Sequence, residues 1–198
     1  MKRMLLFSVV AITLVSVNAA LAYPSPQDQD ARQTSVLSQK GVERIVREVH
    51  HELVMLPYYG VFDNLAYQVA PDGTVTLLGQ VARPTLKSDA ENSVKRIEGV
   101  EKVVNNIEVL PNSPNDDRIR RDAYRAIYGN SALSEYQLRA VPPIHIIVKN
   151  GNITLEGVVA RQMDKQIAGM QANQVHGAFS VTNNLQSEEP EQKGDKKK

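Results

Sequence analysis

Two segments of the chain carry nearly the same sequence: DGTVTLLGQVAR at residues 72–83 and NGNITLEGVVAR at residues 150–161. The offset of 78 residues also pairs Gly99 with Gly177, and it continues into the two Asn-Asn pairs at residues 105–106 and 183–184. Over residues 72–107, 13 of 36 positions are identical at this offset without a gap. Such a regular spacing indicates an internal duplication of one structural unit.

Both copies predict the same order of elements, α-β-β-α-β. A helical apolar stripe comes first, and two β-rich runs follow around a turn signal, Asp72-Gly73 in the first copy and Asn150-Gly151 in the second. A strand, a crossover helix and a further strand favour parallel pairing, whereas the hairpin adds an antiparallel neighbour. We therefore predict an α+β fold of two tandem αββαβ units, each a small three-stranded mixed sheet with two helices on one face.

The start of the chain has the pattern of an export signal. Lys2 and Arg3 precede a short apolar run, and the small-x-small sequence at residues 20–22 (ALA) is typical of a cleavage site. The run is too short to be a comfortable membrane span, although an uncleaved anchor is the alternative interpretation. We therefore predict a periplasmic or secreted protein, cleaved after Ala22.

The division of the chain follows from the duplication and from local composition. Low apolar content and charge runs predict disorder on both sides of the repeats. The predicted segments are a signal peptide (1–22), a disordered spacer (23–38), the first unit (39–111), the second unit (115–186) and a disordered charged tail (187–198).

The composition excludes several classes of protein. The 198 residues include no Cys, which excludes disulfides, thiolate metal sites, a cysteine nucleophile and a lipidated N-terminal cysteine. The formal charge of +1 argues against a general nucleic-acid-binding protein. The sequence also contains no phosphate-loop glycine motif, HExxH motif or nucleophile elbow, and its four histidines are assigned structural or solvated roles. We predict no catalytic residues, no cofactor and no metal site.

The repeated pattern resembles a known family. The sequence Gly-x-Val/Ile-Thr-Leu-x-Gly-x-Val, an amphipathic helix, and then Gly-x-x-x-Val-x-Asn-x-Ile/Leu resemble the BON domain, the bacterial osmotically-inducible periplasmic and nodulation module. The glycines of this motif are predicted to shape turns, helix ends and close strand contacts; they are Gly73, Gly79, Gly99, Gly151, Gly157 and Gly177. The resemblance implies an exported or envelope-associated binding module that attaches to phospholipid membranes, and it does not imply an enzyme.

The strongest candidate for a binding surface is the helix predicted from residue 118 to residue 128. On a helical wheel its apolar residues share one face, and a separate arc holds three arginines and two tyrosines: Arg118, Arg121, Arg125, Tyr124 and Tyr128. Such a face suits an anionic membrane interface, where guanidinium groups meet phosphate and rings lie at headgroup level. The alternative is an ordinary solvated face whose tyrosines pack on the other copy.

Two smaller features also have two interpretations. Arg83 and Arg161 each follow a strand and precede a helix, so they are candidates for holding an anionic headgroup or for bonding a nearby acid or loop carbonyl. Tyr58, Tyr59 and Phe62 cluster after the first helix, where they either contact lipid or a partner or close the end of a small core.

These features together predict a non-catalytic exported protein that binds anionic phospholipid or a membrane surface of the cell envelope. The alternative is a protein-interaction or stress-protective module whose open sheet faces recruit other envelope proteins. Nucleic acid is not a predicted partner.

Overall fold

The computed structural model describes residues 37–189, so the predicted signal peptide, most of the predicted spacer and most of the charged tail lie outside the described residues. The first copy contains α1 (Gln39–Val54), β1 (Asn64–Val69), β2 (Thr74–Val81), α2 (Pro84–Val94), β3 (Lys102–Asn105) and β4 (Glu108–Val109). The second contains α3 (Pro114–Tyr128), a 3-10 helix (Ser134–Leu138), β5 (Ile144–Lys149), β6 (Asn152–Val159), α4 (Gln162–Asn173), β7 (Ser180–Asn183) and β8 (Gln186–Ser187). This order confirms the predicted α+β fold of two tandem units.

Both sheets have the predicted mixed topology. β1 pairs with β2 in antiparallel fashion, and β3 and β4 pair with β2 in parallel; β5, β6, β7 and β8 repeat this arrangement. The third strand is interrupted in each copy, because the Asn105 side chain accepts a hydrogen bond from the Ile107 backbone N–H (3.2 Å) and Asn183 does the same with Leu185 (3.2 Å). The short strands β4 and β8 are therefore the second halves of β3 and β7.

The first helix of each copy is capped and amphipathic. The Ser38 side chain accepts a hydrogen bond from the Gly41 N–H at the start of α1, and Ser113 caps α3 in the same way. A row of apolar residues four apart is buried on each helix: Ile45, Val49 and Leu53 on α1, and Ile119, Ala123 and Ile127 on α3. These rows pack on the sheet and form a separate hydrophobic core in each copy.

Gly79 and Gly157 permit a close approach of the first two strands. Their φ angles are +109° and +122°, in the region that favours glycine. A Cβ atom at Gly79 would lie 2.1 Å from the Asn64 carbonyl oxygen, and one at Gly157 would lie 1.9 Å from the Pro143 carbonyl oxygen. The glycine that recurs within each second strand is therefore required for the two strands of the hairpin to approach each other this closely.

The folded region extends slightly past the predicted end of the second unit. Ser187 lies in β8, and the backbone N–H of Glu188 donates to the Val159 carbonyl at 2.9 Å. Between residues 37 and 189, no helix combines the length and the apolar character needed to cross a membrane.

Candidate functional site

The three α3 arginines have different surroundings. Arg118 donates to the His176 carbonyl just beyond α4 (3.3 Å) and to the Asn115 side chain (3.1 Å). Arg44 on α1 makes the matching contact in the first copy, where it donates to the Glu98 carbonyl at 2.9 Å. Both carbonyls lie at the end of the second helix, so Arg118 joins two helices as Arg44 does and is not a free cation on the predicted arc.

The expectation that Tyr128 lies on the exposed arc is wrong. Tyr128 is only 2% exposed, its hydroxyl donates to the Ile144 carbonyl (2.7 Å), and it accepts from the Ile144 N–H (3.1 Å). Burial raises the pKa of its hydroxyl. The start of β5 covers this last turn of α3, which a helical wheel cannot show. Tyr128 therefore fixes β5 to α3 and does not reach a headgroup.

The remaining residues of the arc form a shallow cavity, which we call the α3 cleft. Its volume is about 470 Å³, and it is lined by Val61, Phe62, Arg121, Tyr124 and Arg125. The half-buried Tyr124 ring meets Phe62 edge-on, with centroids 6.2 Å apart. Arg125 is 71% exposed beside Asp122 (3.2 Å), and Arg121 is exposed with no ion-pair partner among residues 37–189. The α3 cleft thus has an apolar floor and a rim of two solvent-facing guanidinium groups.

The other two candidate arginines do not line the α3 cleft. The guanidinium of Arg161 bonds the buried Asp164 carboxylate at 2.9 and 3.0 Å and lies 3.8 Å from Glu135, which agrees with the alternative that it bonds a nearby acid. Arg83 instead lies over the exposed ring of Tyr58, 4.9 Å from its centroid. The equivalent positions of the repeat therefore have different partners.

The cleft exists because the loop after α1 packs on the second copy. The Ile146 N–H of β5 donates to the Val61 carbonyl at 2.7 Å, and Phe62 packs against the second hydrophobic core. Tyr59 stacks on His145 with centroids 5.6 Å apart, and the ring nitrogen Nδ1 of His145 lies 3.3 Å from the Gly60 carbonyl oxygen. The predicted aromatic cluster is therefore divided: Tyr59 and Phe62 close the junction, and Tyr58 stays exposed.

This junction predicts a pH-dependent stability. Burial lowers the pKa of His145, although the Gly60 carbonyl, Asp63 and Glu156 act in the opposite direction. A histidine with a lowered folded pKa binds a proton more readily when unfolded, so stability is greatest above the unfolded pKa near 6.5 and falls as the pH decreases. We therefore expect a lower melting temperature at about pH 5.5 than at about pH 7.5, which lie on either side of the unfolded pKa of histidine. Thermal unfolding followed by circular dichroism measures the difference.

A histidine pair separates this effect from general acid destabilisation. The His145→Gln variant should lose part of the dependence on pH, whereas the variant of the exposed His176, His176→Gln, should keep it. An equal dependence in both variants would show that His145 is not its source.

Comparison with known protein families identifies the two repeated units. The sequence model of the BON domain matches residues 43–111 and residues 115–189, which together make up most of the chain. The chain belongs to the BON domain family. BON domains are non-catalytic, envelope-associated domains, and the two matches coincide with the two structural units. Among residues 37–189, no three His, Asp or Glu side chains come together to hold a metal ion.

The search of curated proteins finds no match to this BON protein. Similar solved structures include CdsD, described as a structural protein of the Type III secretion system of Chlamydia trachomatis. That match has 13% identity and a TM-score of 0.27, and it covers 75% of this chain and 94% of the other. The C-terminal domain of CdsD matches with 12% identity and a TM-score of 0.26, covering 72% and 96%. Neither likeness bears on what the BON units bind.

Proposed function

We propose that this BON protein is exported and binds anionic phospholipid surfaces of the cell envelope through the α3 cleft, without catalysis. The observation that carries the proposal is the pair Arg121 and Arg125, exposed beside the apolar floor of Val61, Phe62 and Tyr124. A guanidinium group can donate two parallel hydrogen bonds to the oxygens of a phosphate. Aromatic rings are favoured at the level of lipid headgroups. A volume of about 470 Å³ lies within the range of small-molecule sites, so the cleft is large enough for a headgroup.

The matching region of the first BON unit does not offer this chemistry. A cavity of about 390 Å³ beside α1 is lined by both signs of charge, since Arg47 and Arg96 line it together with Glu48, Glu52 and Glu98. Opposite charges at short range cancel most of the attraction for an anionic surface. The proposal therefore assigns lipid binding to the α3 cleft and not to the surface of α1.

Reversing the two cleft arginines tests the proposal. The Arg121→Glu/Arg125→Glu variant should bind anionic vesicles at least about thirtyfold more weakly than the unchanged protein, because each basic residue near an anionic leaflet contributes about 1 kcal/mol. Binding of the unchanged protein should also weaken as salt is raised. The measurement is co-sedimentation with phosphatidylcholine vesicles, with and without phosphatidylglycerol.

The first BON unit provides a control with the same change of charge. Lys40 and Arg47 are exposed on α1, so the Lys40→Glu/Arg47→Glu variant should bind almost as well as the unchanged protein. Circular dichroism establishes that both variants are folded. If the unchanged protein ignores anionic vesicles even at low salt, phospholipid binding is wrong and a protein partner from the envelope takes its place.

A further inference from the structure

Helix α4 has an apolar outer face that the core does not use. Met163 and Met170 are 60% and 54% exposed and lie seven residues apart, so they share one face of the helix. The opposite face is buried through Ala168 and Ala172. Exposed apolar patches can mark sites of contact with a membrane or a partner, so this face is a candidate for such a contact.

The first BON unit shows that the fold does not require this face. At the offset of 78 residues, Thr85 and Asn92 of α2 occupy the positions of Met163 and Met170, and both are exposed. The two helices nevertheless bury equivalent alanines, Ala90 and Ala168, against their sheets. The methionines therefore distinguish the second unit from the first without serving its packing.

The charges on α4 are compatible with an anionic surface. The one acidic residue of α4, Asp164, is buried, and Lys165 is the one basic residue. The outer surface of α4 therefore presents apolar and amide side chains without an exposed carboxylate that would repel an anionic surface.

Helix α4 lies directly beside the helix that carries the cleft arginines. α3 packs against α4 on the same face of the sheet. Arg118, near the start of α3, bonds the carbonyl of His176, beyond the end of α4, so the two helices run in opposite directions. The Met170 end of α4 accordingly lies beside the first half of α3, where Arg121 is located. The exposed Arg121 and Arg125 and the exposed Met163 and Met170 thus belong to two adjacent helices of one helical layer.

We infer that α4 is the part of the protein that enters the bilayer: Met163 and Met170 insert below the headgroups while Arg121 and Arg125 contact lipid phosphates. The inference rests on the proposed function and adds an apolar anchor to it. A bilayer fits this surface because its phosphates can bond the long arginine side chains while the hydrocarbon beneath them accepts the methionine side chains. A soluble phosphate would use the arginines alone.

A single tryptophan tests insertion directly, because the chain contains no Trp. In the Met170→Trp variant, the indole emission should move to shorter wavelength when anionic vesicles are added, and lipids brominated on their acyl chains should quench it. The Asn92→Trp variant places the same probe at the equivalent position of α2 and should show neither change.

The affinity of a second variant completes the test. Met163→Gln/Met170→Gln should weaken binding to anionic vesicles about tenfold, because less apolar surface is buried, whereas Thr85→Gln/Asn92→Gln should leave it unchanged. If the unchanged protein does not bind vesicles, the proposed function and this inference are both wrong. If it binds, but the Met170→Trp indole is neither shifted nor quenched and the Met-to-Gln variant binds normally, the inference alone is wrong. An emission shift that occurs without vesicles and depends on protein concentration would contradict insertion into the bilayer. It would indicate that a second copy of the chain covers this face of α4.

Discussion

Replacing Gly157 with alanine should lower the free energy of unfolding by about 4 kcal/mol. The added Cβ would lie 1.9 Å from the Pro143 carbonyl oxygen, and the backbone at Gly157 has a φ of +122° that alanine strongly disfavours. The added Cβ atom meets a backbone carbonyl, so no side-chain rotation relieves the clash. Relief requires displacement of β5, whose residues Ile144 and Ile146 belong to the second core. Urea unfolding followed by far-UV circular dichroism measures the loss.

Two other glycines make this result interpretable. At Gly60, nothing lies within 4 Å of an added Cβ atom, so Gly60→Ala should change the free energy of unfolding by at most about 0.5 kcal/mol. Gly79→Ala should reproduce the large loss in the first BON unit, because its Cβ would lie 2.1 Å from the Asn64 carbonyl oxygen. A Gly157→Ala variant as stable as Gly60→Ala would contradict the close approach of the two strands.

The fold was predictable because each repeated element carries a local signal. The turn glycines, the glycine within each second strand and the Asn-Asn pairs all recur at one offset, and each has a specific backbone role. Asn105 illustrates such a role: besides holding the Ile107 N–H, its side chain donates to the Lys87 carbonyl of α2 at 2.9 Å, and Asn183 bonds Lys165 in the same way at 2.7 Å. Local signals of this kind are visible in a single sequence.

The first helices of the two units, α1 and α3, do not align at the repeat offset. The wrong expectations for Arg118 and Tyr128 follow from this. The buried rows of α1 and α3 match at a spacing of 74 residues, because the connection from the first helix to the first strand is longer in the second unit. At the offset of 78, Arg44 does not align with Arg118, so their shared role at the end of the second helix was hidden. Tyr128 is buried by the start of β5, whose position depends on that same connection, and the connection carries no periodic pattern.

The α3 cleft itself could be predicted only in part. The sequence indicated Arg121, Tyr124 and Arg125 through helical periodicity, whereas Val61 had no signal because it lies in an irregular loop of the other unit. Contacts between units depend on how two folded surfaces fit, and no local pattern encodes that fit. The apolar face of α4 was also missed, although comparison of Met163 and Met170 with Thr85 and Asn92 at the repeat offset would have revealed it.

A second large effect is expected at Asp164, which is buried beneath the start of α4. Its carboxylate accepts hydrogen bonds from the Tyr136 hydroxyl (2.7 Å) and from Nε of Arg161 (3.0 Å). Asp164→Ala should lower the free energy of unfolding by about 3 kcal/mol, because it leaves the buried Tyr136 hydroxyl without an acceptor. Urea unfolding at neutral pH measures this loss.

The first BON unit suggests how the loss can be reversed. Leu86 occupies the position of Asp164 at the repeat offset and is fully buried, so an apolar side chain fits this place in the fold. Tyr136→Phe/Asp164→Leu removes both the hydroxyl and its acceptor and should therefore restore part of the stability lost in Asp164→Ala. The recovery is incomplete because the Ala160 N–H, which donates to the Tyr136 hydroxyl at 2.9 Å, loses its acceptor. A double variant that is as unstable as the single one would contradict the unpaired Tyr136 hydroxyl as the main cause of the loss.

The same site should contribute to stability only while the carboxylate is charged. Burial alone raises the pKa of Asp164, but the hydrogen bonds from Arg161 and Tyr136 outweigh it and hold that pKa below its usual value. A lowered folded pKa means that the charge stabilises the protein above the unfolded pKa, about 3.9, and ceases to do so as the pH falls through the folded value. The difference in unfolding free energy between the unchanged protein and Asp164→Asn should therefore shrink below about pH 4. A difference that stays constant as the pH falls through this range would mean that Tyr136 and Arg161 do not depend on the charge of Asp164.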